Sequence, residues 1–148
     1  MMKTCTQTST IACEIEDLFN FHLDTHNIKA ITPPDTVVTL LNPEITPHEG
    51  AVIKIKTVKF FIPTFWEVQI TKLESPYLLV DTAQKSPFKF WRHSHAFKEV
   101  EGGCQLQDVI EYELPFGWLG NLAGGFIAKD IAAMFAYRHE RTKALLEA

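Results

Sequence analysis

Residues 3 to 12 are rich in threonine and alternate with cysteine, serine and isoleucine, a pattern that suits a pleated edge strand better than a helix. From Glu14 the pattern changes. Acidic residues precede Leu18, Phe19 and Phe21, which predicts a short helix whose positive end attracts Glu14, Glu16 and Asp17. Asp24 is placed to cap a second short turn through Ala30, and Pro33 and Pro34 stop it. Six strand patterns follow: Thr36 to Leu41, Gly50 to Phe61, Phe65 to Leu73, Tyr77 to Gln84, Phe88 to Val100 and Cys104 to Leu114. The separators are turn chemistry, namely Asn42-Pro43, Pro47, Pro63, Ser75-Pro76, Ser86-Pro87 and Gly102-Gly103. Links this short join antiparallel neighbours, because a parallel pair needs a crossover of roughly a dozen residues or more. Beyond Pro115 and Gly117 the period becomes helical, with Ile127, Ile131, Met134 and Leu145 on one stripe. The pattern therefore predicts an α+β chain: strand, two short helices, six strands, one long C-terminal helix. An antiparallel sheet of seven strands must cover its apolar face, and the long helix is the one element able to do so.

Bulk properties narrow the function. The 148 residues suffice for one domain spanning 1–148 with a continuous core, and 46% apolar with 22% charged residues is ordinary globular composition. A net charge of −4 disfavours nucleic acid as a partner, since phosphate contacts need a concentrated basic face. The threonine-rich start lacks the apolar run of a signal peptide and no stretch is long enough to span a bilayer, so a cytoplasmic location is expected. Cys5, Cys13 and Cys104 have no CxxC spacing and read as reduced, packed thiols.

The segment Ser86 to Phe97, Ser-Pro-Phe-Lys-Phe-Trp-Arg-His-Ser-His-Ala-Phe, resembles the Pro-Phe...Trp-x-His-x-His-x-Phe strand of a bacterial branch of the START, birch-pollen-allergen and polyketide-cyclase superfamily, abbreviated SRPBCC. Val109 to Pro115 and the helical Met-Phe-Ala-Tyr-Arg at 134–138 are similar to the segments that follow in that branch, and the likeness runs from about Thr4 to Leu146. The resemblance implies a helix-grip fold: a curved antiparallel sheet wrapped around the long helix, with a deep ligand cavity between them.

The residues can also be read directly. If Glu99 faces Cys104 across the Glu101-Gly102-Gly103 turn, counting pairs His95 with Asp108, His93 with Ile110, Trp91 with Tyr112 and Phe97 with Leu106, all on one face. Gln105, Gln107, Glu111 and Glu113 occupy the opposite, wet face. His93, His95 and Asp108 are then polar groups among apolar ones, and an inward carboxylate needs a hydrogen-bond partner, for which His95 is nearest. Three roles fit: mutual satisfaction inside the sheet, orientation of a ligand, or acid–base catalysis by His95 and Asp108. The two histidines have a spacing that also chelates zinc or another divalent ion, with Asp108 a conceivable third ligand. One strand pair does not guarantee such a site, and no metal or cofactor is expected. His22 and His26 read as a solvated pair.

On the long helix Arg138 lies in the apolar stripe. Either it pairs with Asp81 or Asp108, or its stem packs and its head reaches water. Gly124-Gly125 reads either as a close approach or as an irregular first turn, and Phe116, Trp118 and Leu119 as a mouth with its flap. The leading expectation is a non-catalytic module binding a hydrophobic small molecule, lipid-like, aromatic or polyketide-like. Trp66, Trp91, Phe97, Ile110, Tyr112, Phe126, Ile127 and Met134 supply its walls, and His93, His95, Asp108 and Arg138 its polar fixtures. Its alternatives are an enzyme of the cyclase, dehydratase or hydrolase kind, and an interaction domain with a filled interior. A homodimer is left open.

Overall fold

The computed structural model describes residues 1–117 and 122–148. Its elements in chain order are β1 (Met2–Ile11), α1 (Ile15–Leu23), α2 (Asn27–Ala30), β2 (Thr36–Leu40), β3 (Val52–Lys59), β4 (Ile62–Glu74), β5 (Leu78–Lys85), β6 (Phe90–Val100), β7 (Gly103–Glu113) and the long helix α3 (Gly124–Leu146). Seven strands form one antiparallel sheet in the order β1-β7-β6-β5-β4-β3-β2, so β2 to β7 meander and β1 closes the far edge against β7. The sheet curls into a half-barrel around the long helix, which is the helix-grip architecture. Two register shifts in the β4–β5 pairing, at Glu67/Val68 and at Ile70/Lys72, sit where such curvature needs an extra residue, Gln84 on β5 at the first and Thr71 on β4 at the second.

Strict alternation makes the inner face. On β7 Cys104, Leu106, Asp108, Ile110 and Tyr112 are buried, and on β6 Trp91, His93, His95 and Phe97. Pairing of these strands follows the counted register, with Glu99 opposite Cys104, His95 opposite Asp108 and Trp91 opposite Tyr112. The core has two parts. Helix α1 buries Ile15, Leu18 and Phe19 against Ile11, Phe97 and Leu106, while α3 presses Ile131 and Phe135 onto Trp91, Ile110, Tyr112 and Leu114. Each such side chain taken fully out of water contributes roughly 1.5–3 kcal/mol. Gly103, at φ +143, is required where it stands: a Cβ there would lie 2.1 Å from the Ile11 carbonyl oxygen.

Several expectations need correction. The turn joining β3 to β4 is Phe60-Phe61, both at positive φ, not Pro63, because Lys59 pairs directly with Ile62. Pro63 lies within β4 but before the first β4–β5 pair at Glu67, where its missing N–H costs no ladder bond to β5. The buried line of α3 is Gly124, Ile131, Phe135, His139 and Thr142, while Leu145 is exposed. Asp24 ends α1, and its carboxylate accepts the backbone N–H of His26, one residue before α2 begins. A Cβ on Gly124 would make ordinary contact with Leu114 and one on Gly125 would meet open space, so no close approach explains these glycines. Of the suggested flap, Trp118 and Leu119 lie outside the described residues, and Phe116 is exposed at φ 62.

Candidate functional site

Between the concave sheet and α3 lies a mostly apolar hollow of about 650 Å³. Val38, Ile53, Ile55, Trp66, Val68, Ile70 and Trp91 wall it from the sheet, and Phe126, Ile127, Ile131 and Met134 from the helix. Trp66 meets Trp91 edge-on with ring centroids 5.1 Å apart, and Phe88 closes the same aromatic corner at 4.9 Å from Trp91. Geometry of this kind adds about 0.5–1.5 kcal/mol per pair to simple burial and holds the wall in shape.

The polar end is built from five elements. Asp108 of β7, 3% exposed, is its centre. The His93 Nε2–H donates to Asp108 Oδ1 at 2.6 Å and the His139 Nε2–H donates to Oδ2 at 2.5 Å. His139 continues through Nδ1 to the Ser9 hydroxyl at 2.6 Å, tying α3 to β1. His95 instead donates through Nε2 to Asp81 Oδ2 on β5 at 3.1 Å. Its Nδ1 is 3.1 Å from Asp108 Oδ1 but has no hydrogen-bond partner in a suitable direction, so that contact is ionic rather than directional. The rings of His93 and His95 lie 3.7 Å apart at 30°, as their shared strand face requires.

Burial and charge shift these groups in opposite ways. Burial alone raises the Asp108 carboxyl, but His93, His139 and His95 more than offset it and hold the group well below the usual carboxylate range. Asp81 is lowered likewise, burial being overcome by His95, His93 and Arg138. Burial pushes His95 down, yet the carboxylates of Asp108 and Asp81 lift it to about 9. His93 is lowered by burial and by His95 despite its bond to Asp108. His22 is driven to about 4 by burial and the nearby His95 charge. At neutral pH two carboxylates therefore face two cations, His95 and Arg138.

The predicted residues divide. Trp66, Trp91, His95, Phe126, Ile127, Met134 and Arg138 line the hollow. His93, Phe97, Asp108, Ile110 and Tyr112 do not: they are buried behind its wall, Phe97 under α1 against Phe19 and His22. The expected His95–Asp108 hydrogen bond is replaced by His93–Asp108 and His95–Asp81, because Asp81 stands opposite His93 in the β5–β6 register. Arg138 forms neither of the ion pairs expected of it, with Asp81 or with Asp108. Its Nε is enclosed without a hydrogen-bond partner among the described residues, no carboxylate among them forms an ion pair with it, and it lies over Phe135 at 5.0 Å. His22 is not a solvated partner of His26: it lines the hollow with its ring 5.6 Å from His95, while His26 is exposed beside Asp24.

Sequence reasoning missed His139 and Ser9. His139 was signalled by its spacing of four from Phe135 and eight from Ile131, the buried line of the helix. Ser9, His139 and Asp108 have the composition of a hydrolase triad. None of them lines the hollow, and the imidazole is reversed, with the carboxylate on Nε2 and the hydroxyl on Nδ1. The three are a structural tie between β1, α3 and β7.

This sheet and helix make a helix-grip fold. No family model matches the chain, and no curated protein matches it. Among solved structures it is similar to protein CV1439 from Chromobacterium violaceum, at TM-score 0.78 and 14% identity over 98% of both chains. It is also similar to a START superfamily protein from Mycobacterium smegmatis, at TM-score 0.74 and 11% identity over 97% of both chains. The di-domain ARO/CYC StfQ from the steffimycin biosynthetic pathway aligns at TM-score 0.75 and 10% identity, over 99% of this chain and 52% of that one. Identities this low establish a shared fold, and any shared activity has to be argued from the site.

Proposed function

We propose that this protein binds a hydrophobic small molecule, of aromatic or lipid-like shape, in the hollow between sheet and α3. The observation that carries the reading is the hollow itself: about 650 Å³ of mostly apolar space with His95, Asp81 and Arg138 converging at one end. Ligand sites have this composition, apolar walls for affinity and a few polar groups for orientation. START-like and polyketide-cyclase neighbours support it at the level of fold. An open interior counts against an interaction domain filled by its own side chains.

Two measurements test the proposal together. Native mass spectrometry and solvent extraction of freshly purified protein should reveal a co-purifying molecule, and an apolar fluorescent probe should bind once it is removed. Met134→Trp, which puts an indole into the hollow, should weaken the probe at least about tenfold, or about 1.4 kcal/mol. Probe affinity unchanged by that substitution, with nothing extracted, would overturn the proposal. A second reading, acid–base turnover of the bound molecule, is favoured by the His95–Asp81 pair on the wall; Asp108, behind it, is placed to act on the histidines rather than on a substrate. His95→Gln abolishes turnover under this reading and alters only selectivity in a carrier.

A further inference from the structure

Asp81, His93 and His95 bring one donor atom each within 4.8 Å of the other two. Asp81 Oδ2 is 3.1 Å from His95 Nε2 and 4.0 Å from His93 Nδ1. Two nitrogens and an oxygen bound to one zinc-like ion at about 2.0–2.2 Å stand roughly 3.4 Å apart, so small side-chain rotations suffice to seat an ion among them. The far nitrogens matter as much. His93 Nε2 and His95 Nδ1 both approach Asp108 Oδ1, at 2.6 and 3.1 Å. A carboxylate hydrogen-bonded behind an imidazole, as Asp108 is behind His93, fixes the ring and strengthens it as a ligand, while behind His95 the same oxygen makes an ionic contact only. Asp108 is itself held by His139 from α3.

We propose that Asp81, His93 and His95 form a site for one divalent transition-metal cation, oriented from behind by Asp108 and open toward the hollow through His95 and Asp81. Two neutral imidazoles with one carboxylate suit zinc or a similar first-row ion and leave coordination positions for water or a ligand oxygen. Occupancy requires that His95 Nε2 release to solvent the proton it now directs at Asp81. With Arg138 on the same wall, two carboxylates then face three positive charges, which favours an anionic oxygen as the next ligand. This site is independent of the small-molecule proposal, since probe binding does not require the ion.

The test uses the full chain, stripped with chelator and checked by elemental analysis. Titration with Co²⁺ should give visible absorption bands saturating at one ion per chain, and Zn²⁺ should abolish them. Asp81→Asn, which keeps size and leaves the Asp108 bonds in place, and His95→Gln should each weaken binding at least about 100-fold. Asp108→Asn should weaken it about 10- to 100-fold. His26→Gln, in the exposed pair with Asp24, should leave binding unchanged. Circular dichroism establishes that each variant is folded. No bands up to millimolar Co²⁺, or bands that persist in folded Asp81→Asn, would overturn the proposal.

Discussion

The two ends of the hollow depart from ordinary protein chemistry in opposite directions. At the inner end Asp108, His93, His95 and His139 are polar groups almost wholly removed from water. At the outer end Phe60 and Phe61 are 66% and 99% exposed, and Phe126 on α3 is also exposed. Charge is kept where apolar side chains would pack more simply, and aromatic surface is kept where polar side chains would dissolve more readily. Both departures lie along one cavity, since Phe60 and Phe126 line it at one extreme and His95, Asp81 and Arg138 at the other. Under α1 local rules and burial agree, and Leu18, Phe19, Phe97 and Leu106 form an unexceptional packed core. Sites that depart from the rules while the rest obeys them are where function is expected to reside.

The inner end breaks most sharply at Asp108. Asp108→Ala leaves His93 and His139 enclosed without their acceptor and removes the counter-charge of His95. Breaking a buried ionic cluster by deleting one member costs about 3–5 kcal/mol, and urea denaturation should show a loss of that size. A loss under about 1 kcal/mol would mean the inner polar groups are effectively solvated, and the contrast between the two ends would disappear.

The next effect is the dependence of stability on pH. His95 is faced by His93 on its own strand, Asp81 on β5, Asp108 on β7, Arg138 on α3 and His22 on α1. Its value is raised from 6.5 to about 9 in the folded chain, so its ion pairs stabilise fully below about pH 6.5 and are lost as pH rises toward 9. That loss is roughly 3 kcal/mol for a group this buried. His22 acts in the opposite window: lowered from 6.5 to about 4, it makes the unfolded chain the better proton binder there, so stability falls as pH falls from 6.5 to 4. Asp81 and Asp108, both depressed, add their own loss as pH falls below about 3.8. Thermal unfolding followed across pH should therefore peak near 6.5, and His95→Gln should flatten the alkaline side and, by removing a charge that helps depress His22 and Asp81, soften the acid side as well. An alkaline side unchanged in His95→Gln would remove His95 as the buried cation.

What the chain made legible was what hairpins determine locally. The β6–β7 register follows from one short glycine turn, so every pair from Trp91–Tyr112 to Phe97–Leu106 could be counted, and the inward placement of His93, His95 and Asp108 came with it. The partners of those groups could not be counted. Asp81 reaches His95 through the β5–β6 register, whose longer link around Ser86-Pro87 leaves the alignment open. His139 reaches Asp108 only through the rotation of α3 about its axis, and a stripe defined by Ile127, Ile131, Met134 and Leu145 shares only Ile131 with the observed buried line. At the mouth the failure was one of chemistry. A two-residue turn with both positions at positive φ usually carries Asn-Gly, and Phe-Phe gives no such signal.

That turn supplies the smallest and most discriminating test of the comparison. Phe60 at φ 53 and Phe61 at φ 63 occupy a region unfavourable to aromatic side chains, and they bury little surface in return. Phe60→Asn combined with Phe61→Gly gives the hairpin the residues its backbone geometry prefers and should stabilise the fold by about 1–2 kcal/mol, read as a rise in the unfolding midpoint. Because Phe60 borders the hollow, the same variant should bind the apolar probe more weakly. Gain of stability together with loss of binding means the strain is maintained for the mouth. A loss of stability instead would make the two phenylalanines structural, and the outer end of the hollow would no longer stand apart from the core.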